Sequence, residues 1–311
     1  MKKILETSPL FAFARTDFPQ IHAEEPWLLH AAYADWTEGH NHVMHRHEDR
    51  AEIFILLNGS GTYTIGSQMY QIQAGDVVLC NTHVMHDEFP AKSKLYDTLT
   101  LGIANVRMPG LEEGQLIGEG CVPVFRRSEQ TEQIRDIAAL ILRKAAEGDP
   151  AGRMLCHYLM LAALELVRLM AGAQEESRLL PDPDRSGPQS LCRKVEEYLN
   201  DHYMEEITLE KTAKRFYVSP WYLSHVFKEE TSYNFKQYLL RLRLGEAQMQ
   251  LTITGDSIAD IALACGFHDP AYFSRLFARH IGVSPLKYRR MRSGTRTDGS
   301  GLPCCACGPH N

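Results

Sequence analysis

Residues 27–104 have the hydrophobic pattern of short β-strands. Four runs rich in apolar, β-branched and aromatic residues are separated by glycine-containing turn sequences. Regular short strands with glycine turns are typical of an antiparallel barrel or sandwich. The pattern therefore predicts a β domain within residues 1–110. The four runs are 52–57, 62–65, 76–80 and 95–101.

The pattern changes to helical spacing after this domain. Residues 129–172 are interrupted near Pro150 and predict a hairpin of two antiparallel helices. A polar, proline-rich stretch at 173–190 predicts a linker, and residues 191–292 have helical spacing throughout. Residues 293–311 are rich in Gly, Ser, Thr and Cys and are expected to form a disordered tail. The chain is therefore predicted to be an α+β protein with an all-α domain near its end.

The predicted all-α domain contains an internal repeat, in which residues 209–238 align with residues 258–288. Each unit has a helix, a short turn and a second helix. A capping Ser or Asp followed by Pro begins the second helix of both units. The turn contains Gly266 in the second unit, where a left-handed residue is expected, and Tyr217 stands there in the first. The repeat predicts two helix-turn-helix units.

Two such units can place their second helices in adjacent segments of the major groove of double-stranded DNA. Arg275 is the strongest candidate for a base contact, because a guanidinium can bond both acceptors of guanine. Lys228 and Arg279 are predicted to neutralise phosphates, although each is also explained by a solvated surface charge. The residues predicted to face base edges are Trp221, Ser224, His225, Ala271, Ser274 and Arg275.

The distribution of charge agrees with two modules that have different partners. Residues 185–296 contain 17 Lys and Arg against 12 Asp and Glu, which gives a net charge of +5. The remainder carries −11, and the whole chain −6. Nucleic acid is therefore expected to bind the basic module alone.

Composition excludes several classes of protein. With 44% hydrophobic and 23% charged residues, the chain is expected to be globular. The longest apolar run, at 155–170, contains three polar residues and is shorter than the ~20 residues of a membrane span. No continuous apolar segment follows the start of the chain, and the eight Cys are mostly scattered. We therefore predict a cytoplasmic protein with no membrane partner.

Four stretches within residues 191–290 form a specific motif set. They are Ser219-Pro220-Trp221-Tyr222-Leu223-Ser224, Ile258-Ala259-Asp260-Ile261-Ala262, Gly266-Phe267-His268-Asp269-Pro270-Ala271-Tyr272-Phe273-Ser274-Arg275 and Gly282-Val283-Ser284-Pro285. With these stretches, residues 191–290 resemble the DNA-binding domain of the AraC family of bacterial transcription regulators. The resemblance implies tandem helix-turn-helix units on one DNA duplex, activation of transcription, and RNA polymerase as a partner.

Metal-ligand residues are concentrated in the β domain. His45 and His47 are two residues apart and would share a face of a strand, while Glu52 and His86 lie on other strands. Three imidazoles and a carboxylate suit Zn, Fe, Mn, Ni or Cu, so a divalent metal is possible although no cofactor is required. The alternative is that the same side chains hydrogen-bond a polar effector, or one another, without metal. Their spacing resembles the first motif of the cupin fold.

The cupin resemblance implies an effector pocket inside the barrel. Trp36 and Tyr63 are predicted to line its mouth beside His45, His47, Glu52 and His86, or else to be ordinary core residues. Aromatic faces together with His and Glu favour a carbohydrate or another small polar molecule. Many relatives in the resembled family sense carbohydrates, which supports the same class.

The helical hairpin is predicted to form a homodimer contact, and the alternative is that it only covers the barrel. Ile141, Leu155, Leu159, Leu166 and Met170 would expose more apolar surface than a lone hairpin should. Together these features predict a ligand-responsive, sequence-specific DNA-binding transcription regulator, expected to be an activator and not an enzyme. The alternative is a cupin metalloenzyme, of dioxygenase or isomerase type, fused to a DNA-binding domain.

Overall fold

A computed structural model describes most of the chain. Trp36, most of the predicted tail and the centre of the predicted linker lie outside the described residues. Those described are 10–35, 43–66, 68–91, 96–118, 120–177 and 188–293.

Within the described residues, nine antiparallel strands form two sheets that face each other. The larger sheet has the order β1-β2-β8-β3-β6-β9, and the smaller sheet has the order β5-β4-β7. Strand β9 pairs with β6, so the β domain extends beyond the predicted limit at residue 110. The strands are β1 (Leu10–Ala12), β2 (Trp27–Asp35), β3 (Ala51–Asn58), β4 (Ser60–Ile65), β5 (Gln68–Gln73), β6 (Val77–Cys80), β7 (His86–Pro90), β8 (Asp97–Ala104) and β9 (Val124–Phe125).

The alternation of side chains along the larger sheet separates two cores. On β3, Ile53 and Ile55 join a core that includes the helical hairpin. Phe54 and Leu56, on the opposite face, join a second cluster with Tyr63 of the smaller sheet. The interior between the sheets is therefore partly aromatic, and Glu52 lies on the same face of β3 as Phe54.

The predicted hairpin is present as α1 (Glu129–Glu147) and α2 (Pro150–Ser177). Ser128 caps α1 by accepting from the Thr131 amide, and Gly148 ends α1 in the left-handed region at φ 73°. Both helices pack on the larger sheet, so the hairpin does cover the β domain.

The apolar surface of α2 differs from the one predicted. Met170 is buried, as is Ile141 on α1, and Leu159 and Leu166 pack against the core. Leu155 and three other apolar residues form an exposed stripe along one side of the helix, which turns by about 100° per residue. The stripe consists of Leu155, Tyr158, Leu161 and Leu169.

Helix α2 is longer than the apolar run that was compared with a membrane span in the sequence. The window Pro150–Ala173 is long and apolar enough to cross a membrane, because the helix continues beyond the apolar run seen in the sequence. Nearly half of that window is nevertheless buried inside the protein. Its packing on the larger sheet accounts for its apolar composition as the core helix of a folded domain.

Seven helices follow in the described part of the chain, and the two predicted units each have a separate core. Leu223 and Phe227 belong to the core of the first unit, and Phe273 and Phe277 to that of the second. The α+β class is confirmed. The helices are α3 (Pro188–His202), α4 (Leu209–Arg215), α5 (Pro220–Thr231), α6 (Phe235–Ile253), α7 (Ile258–Ala264), α8 (Pro270–Ile281) and α9 (Pro285–Ser293).

Candidate effector pocket and DNA interface

Three of the four predicted metal ligands converge inside the β domain. His45, His47 and His86 each present a ring nitrogen within 4.8 Å of the other two. The backbones of His45 and His86 are paired by two N–H···O hydrogen bonds of 2.9 Å, which hold the segment before β3 against β7. The structure thus unites residues that are about forty positions apart in the chain.

Backbone contacts orient two of these imidazoles. His45 Nδ1 lies 3.1 Å from the Val43 carbonyl, and His86 Nδ1 lies 3.0 Å from the Val84 carbonyl. A carbonyl can only accept, so each Nδ1 donates and each neutral ring keeps a lone pair on Nε2. Metal-binding histidines usually donate their other ring N–H to a carbonyl or carboxylate in this way.

His86 is the best defined of the three. Its Nε2 is buried and has no hydrogen-bond partner among the described residues. Burial lowers the pKa of His86 to about 4, with His47 acting in the same direction, so the ring is neutral at pH 7. A buried lone pair without a donor fits a cation or the donor group of a ligand.

Glu52 lies beside the three rings, and other basic side chains also surround its carboxylate. Its Oε1 is 3.0 Å from His47 Nε2, and its Oε2 is 3.8 Å from His86 Nε2. His30 Nε2 at 3.5 Å and Arg50 Nε at 3.4 Å complete its surroundings. Burial alone would raise the pKa of Glu52, but the positive potential of His47, His30 and Arg50 lowers it well below its usual range.

His30 and Arg50 are pocket residues that the sequence analysis missed. The register of β2 shifts between Leu28 and His30, so counting alternate residues along the strand cannot assign the face of His30. Gly102 makes room for it, since a Cβ there would lie 2.1 Å from the His30 ring. Burial lowers the pKa of His30 to about 3, and Arg50 acts in the same direction.

The interior continues from the histidines along β7. Tyr63 is buried and its ring is parallel to that of His86, with centroids 6.1 Å apart. Glu88, opposite Tyr63 in the β4–β7 pairing, has an Oε2 atom without a partner in the described structure. Burial raises the pKa of Glu88 well above its usual range, and the charge of Glu52 adds to this effect. Tyr63 is therefore a buried core residue beside His86, and Glu88 was missed by the sequence analysis.

The predicted helix-turn-helix geometry is present in both units. Ser219 accepts from the Tyr222 amide, and Asp269 accepts from the amides of Ala271 and Tyr272. These caps satisfy the amides at the starts of α5 and α8, and a proline occupies the first turn of both helices.

The candidate DNA contacts lie at the surface of these helices. Trp221, His225 and Lys228 on α5 are exposed, as are Ala271, Arg275 and Arg279 on α8. Ser224 and Ser274 are partly buried. The Ser274 hydroxyl donates to the Pro270 carbonyl at 2.9 Å, so it can offer only an acceptor to DNA.

One pair on α5 was not foreseen. The rings of Trp221 and His225 lie 4.1 Å apart, and His225 Nδ1 donates to the Trp221 carbonyl at 2.8 Å. Because Nδ1 carries the donated hydrogen, Nε2 is the acceptor whenever this exposed imidazole is uncharged. An acceptor at this place is suited to the amino group of adenine or cytosine.

Comparison with known proteins agrees with both halves. Residues 30–179 match the AraC-like ligand binding domain, and residues 212–291 match a helix-turn-helix domain. The DNA-binding domain of AdpA, solved in complex with a target DNA, is similar over 37% of this chain and all of that chain, with 29% identity and a TM-score of 0.34.

Similarity to whole proteins spans most of the chain. The HTH-type transcriptional activator RhaS of Klebsiella pneumoniae strain 342 is 31% identical, over 87% of this chain and 92% of its own length. An uncharacterized HTH-type transcriptional regulator of Escherichia coli K12, YdiP, is 28% identical over 85% and 86%. The chain therefore belongs to the AraC family of transcription regulators, with an AraC-type ligand-binding domain and a helix-turn-helix DNA-binding domain.

Proposed function

We propose that this regulator activates transcription when a small polar effector enters the pocket formed by His45, His47, Glu52, His86 and Tyr63. The unpartnered Nε2 of His86, buried beside an ionised Glu52, is the observation that carries the proposal. Buried polar atoms without partners are costly, so a pocket that keeps them is suited to a ligand that satisfies them. The name of RhaS, a transcriptional activator, supports activation.

The effector class we favour is a carbohydrate or another hydroxyl-rich molecule. Glu52 offers acceptors, Glu88 in its neutral form offers a donor, and Tyr63 and Phe54 offer apolar ring surfaces. Hydroxyl groups can satisfy both kinds of partner, while the faces of a sugar ring pack on aromatic surfaces.

The three imidazoles also fit a divalent cation such as Zn, Fe, Mn, Ni or Cu. His45, His47 and His86 would hold it, with Glu52 adjacent, and the ion would act as a Lewis acid toward effector oxygens. The metal-free alternative keeps the same side chains as hydrogen-bonding partners. We assign the pocket to sensing and not to catalysis, in agreement with the family.

The DNA-binding half is proposed to occupy an operator through α5 and α8, with Arg275 at a guanine and Lys228 and Arg279 at phosphates. Trp221, Ser224, His225, Ala271 and Ser274 would complete the surface. RNA polymerase is the proposed partner in activation, and the cytoplasm the proposed location. Cys80, Cys156, Cys192 and Cys265 are free thiols buried in the described part of the chain, which supports a reducing compartment.

We further propose a homodimer in which the exposed stripe of α2 packs against that of a second copy. Leu155, Tyr158, Leu161 and Leu169 are apolar and exposed, and an ion pair between Glu165 and Arg168 lies beside them. Leu169→Lys should yield a monomer in sedimentation, because it would bury a charge in the contact. A dimer that persists in this variant would exclude the stripe.

The experiment that tests the sensor is a thermal-shift screen of the full chain with sugars, small organic acids and Zn²⁺. A ligand at about 100 times its Kd adds about 2.7 kcal/mol of stability, which is readily measured. Glu52→Ala should abolish the shift, whereas Glu48→Ala, an exposed glutamate, should retain it. A thermal shift that is retained in Glu52→Ala would contradict the assignment of the pocket. The absence of a thermal shift with every sugar would contradict the proposed effector class.

The DNA function is tested separately. The full chain is used to select duplexes from a random pool, and its affinity for a selected duplex is measured by fluorescence anisotropy. Glu52→Ala should bind this duplex as the wild type does, because the pocket residues lie outside the proposed DNA surface. Failure to select any sequence would contradict specific binding.

A further inference from the structure

Strand β7 has two faces with different surroundings. His86 and Glu88 point into the pocket, where they meet Glu52 and Tyr63. Asp87 and Phe89, which alternate with them, contact the DNA-binding domain. A single strand therefore separates the effector pocket from the helices that hold the two DNA-binding units.

The contact on the outer face is a buried, bidentate ion pair. Arg241 of α6 donates from Nε to Asp87 Oδ2 at 2.5 Å and from Nη2 to Asp87 Oδ1 at 2.8 Å. Asp87 is fully buried, and the guanidinium lies 4.0 Å from the centre of the Phe89 ring. The Tyr233 hydroxyl is 3.5 Å from the same carboxylate. Removal of one partner of such a pair is costly, because it leaves a buried charge uncompensated.

A second contact comes from the segment that carries the other two histidines. The Val43 amide donates to Gln248 Oε1 at 2.9 Å. The Met44 carbonyl lies so close to Gly245 that a Cβ on this glycine would be 1.9 Å away. The side chain of Met44 packs in the core of the first helix-turn-helix unit, and that of Val43 in the core of the second.

Residues 43–44 are therefore inserted where the two units meet on α6, immediately before His45. The backbone pairing of His45 with His86 joins this segment to β7. Both connections from the pocket end on the same face of α6, at Arg241, Gly245 and Gln248, which are three to four residues apart.

We propose that the pocket is coupled to α6 through β7 and residues 43–45. A ligand in the pocket then changes the stability of the contacts between the sensor domain and the junction of the two DNA-binding units. The inference rests on the proposed function in that the pocket must accept a ligand. Asp87 and Arg241 are positioning residues, since they touch neither the pocket interior nor the proposed DNA surface. Coupling between two sites is reciprocal, so a substitution at Arg241 must also change the affinity of the pocket for its ligand.

The test is hydrogen–deuterium exchange of the full chain without ligand, followed by mass spectrometry. Arg241→Met should raise amide exchange in segments 43–48 and 84–90 by about tenfold, within the usual range for coupled sites. The matched control is Arg243→Met. Arg243 is on the same helix, but in the described part of the chain it donates to the carbonyls of Tyr203 and Glu205, inside the DNA-binding domain.

Exchange in the two pocket segments that stays at the wild-type level, or rises equally in both variants, would overturn the proposal. If Arg241→Met fails to fold, Arg241→Lys retains the charge but loses the bidentate geometry, and a smaller rise of the same kind is expected.

A second measurement follows the coupling from the pocket. Zn²⁺ is titrated into each variant by calorimetry, and its Kd should change at least about fivefold in Arg241→Met while staying constant in Arg243→Met. Equal Kd values in all three proteins would overturn the coupling. If the wild type does not bind Zn²⁺, the metal assignment fails while the exchange experiment still decides the coupling. Affinity for a selected duplex separately tests whether the chain binds DNA.

Discussion

The two helix-turn-helix units have the same backbone conformation but place different residues at the left-handed position of the turn. Between the two helices of each unit the chain turns through the left-handed region, at Tyr217 with φ 58° and at Gly266 with φ 78°. Tyr217 is 96% exposed, whereas a Cβ at Gly266 would lie 2.9 Å from the carbonyl oxygens of Tyr203 and Met204. The turn can therefore accept a side chain in the first unit, where space is open, but not in the second.

The surroundings of the two units differ as well. The first has a buried carboxylic acid, Glu196, in the helix that packs against its core. The second has Arg275 on the exposed face of α8, whereas the first has Trp221 and His225 on the exposed face of α5. The two units therefore share a backbone conformation but differ in the side chains that affect stability and DNA recognition.

The largest expected effect is that of Gly266→Ala. The substitution combines a left-handed φ with backbone contacts, and we expect a loss of about 2–4 kcal/mol in the free energy of unfolding. Gly255→Ala is the control, because that glycine has open space and an ordinary φ. Equal unfolding midpoints in urea for the two variants would contradict the account of the turn.

Next is the pH dependence of Glu196. Burial raises its pKa from 4.5 to about 7, Glu197 and Glu230 act in the same direction, and the Tyr238 hydroxyl opposes them. The folded state favours the neutral acid, so this contribution to stability is complete below pH 4.5, is lost as the pH rises through 7, and stays lost at higher pH. The total loss is about 3 kcal/mol.

Glu196→Gln should remove this dependence and stabilise the protein above pH 7. The measurement is the unfolding midpoint of both proteins between pH 4.5 and pH 8.5. Parallel curves for wild type and variant would show that Glu196 does not titrate in the range stated.

The third prediction compares DNA contacts. Arg275→Ala should weaken binding to a selected duplex by about 1–3 kcal/mol and relax discrimination at one base pair. Lys228→Ala in the first unit should weaken all duplexes alike and reduce the salt dependence. Anisotropy titrations with single-base variants separate the two results. Arg275→Ala with unchanged discrimination would remove that residue from base recognition.

The smallest expected effect is a gain. Tyr217→Gly relieves a strained φ worth about 1–2 kcal/mol, offset by the entropy of glycine in the unfolded chain. A net stabilisation of about 0.5–1 kcal/mol is expected in urea unfolding. A loss of stability would mean that the exposed ring contributes contacts after all.

Several features followed from local pattern. The repeat, its caps and its glycine turn are short-range, and α5 and α8 begin at the predicted Ser219 and Asp269. His45 and His47 were expected to share a face of a strand, but they lie in the segment before β3, and the pairing of this segment with β7 brings them to His86. His30 and Glu88 were not predicted from the sequence, each for a different reason. The register shift in β2 hides the face of His30, and nothing near Glu88 in the sequence indicates that its oxygen is buried.

The amino-acid sequence alone is enough to predict the class of fold, the tandem DNA-binding units and the candidate metal-ligand residues. Helix periods, strand alternation and helix caps depend on neighbours within a few positions of the chain. The arrangement of Glu52 among four basic side chains depends on three separate segments meeting, which are β2 with His30, residues 47–52, and β7 with His86. The bond from Asp87 to Arg241 joins residues 154 positions apart. Contacts over such distances arise from the packing of whole domains, and only the tertiary structure reveals that the pocket and the connecting helix lie on opposite faces of one strand.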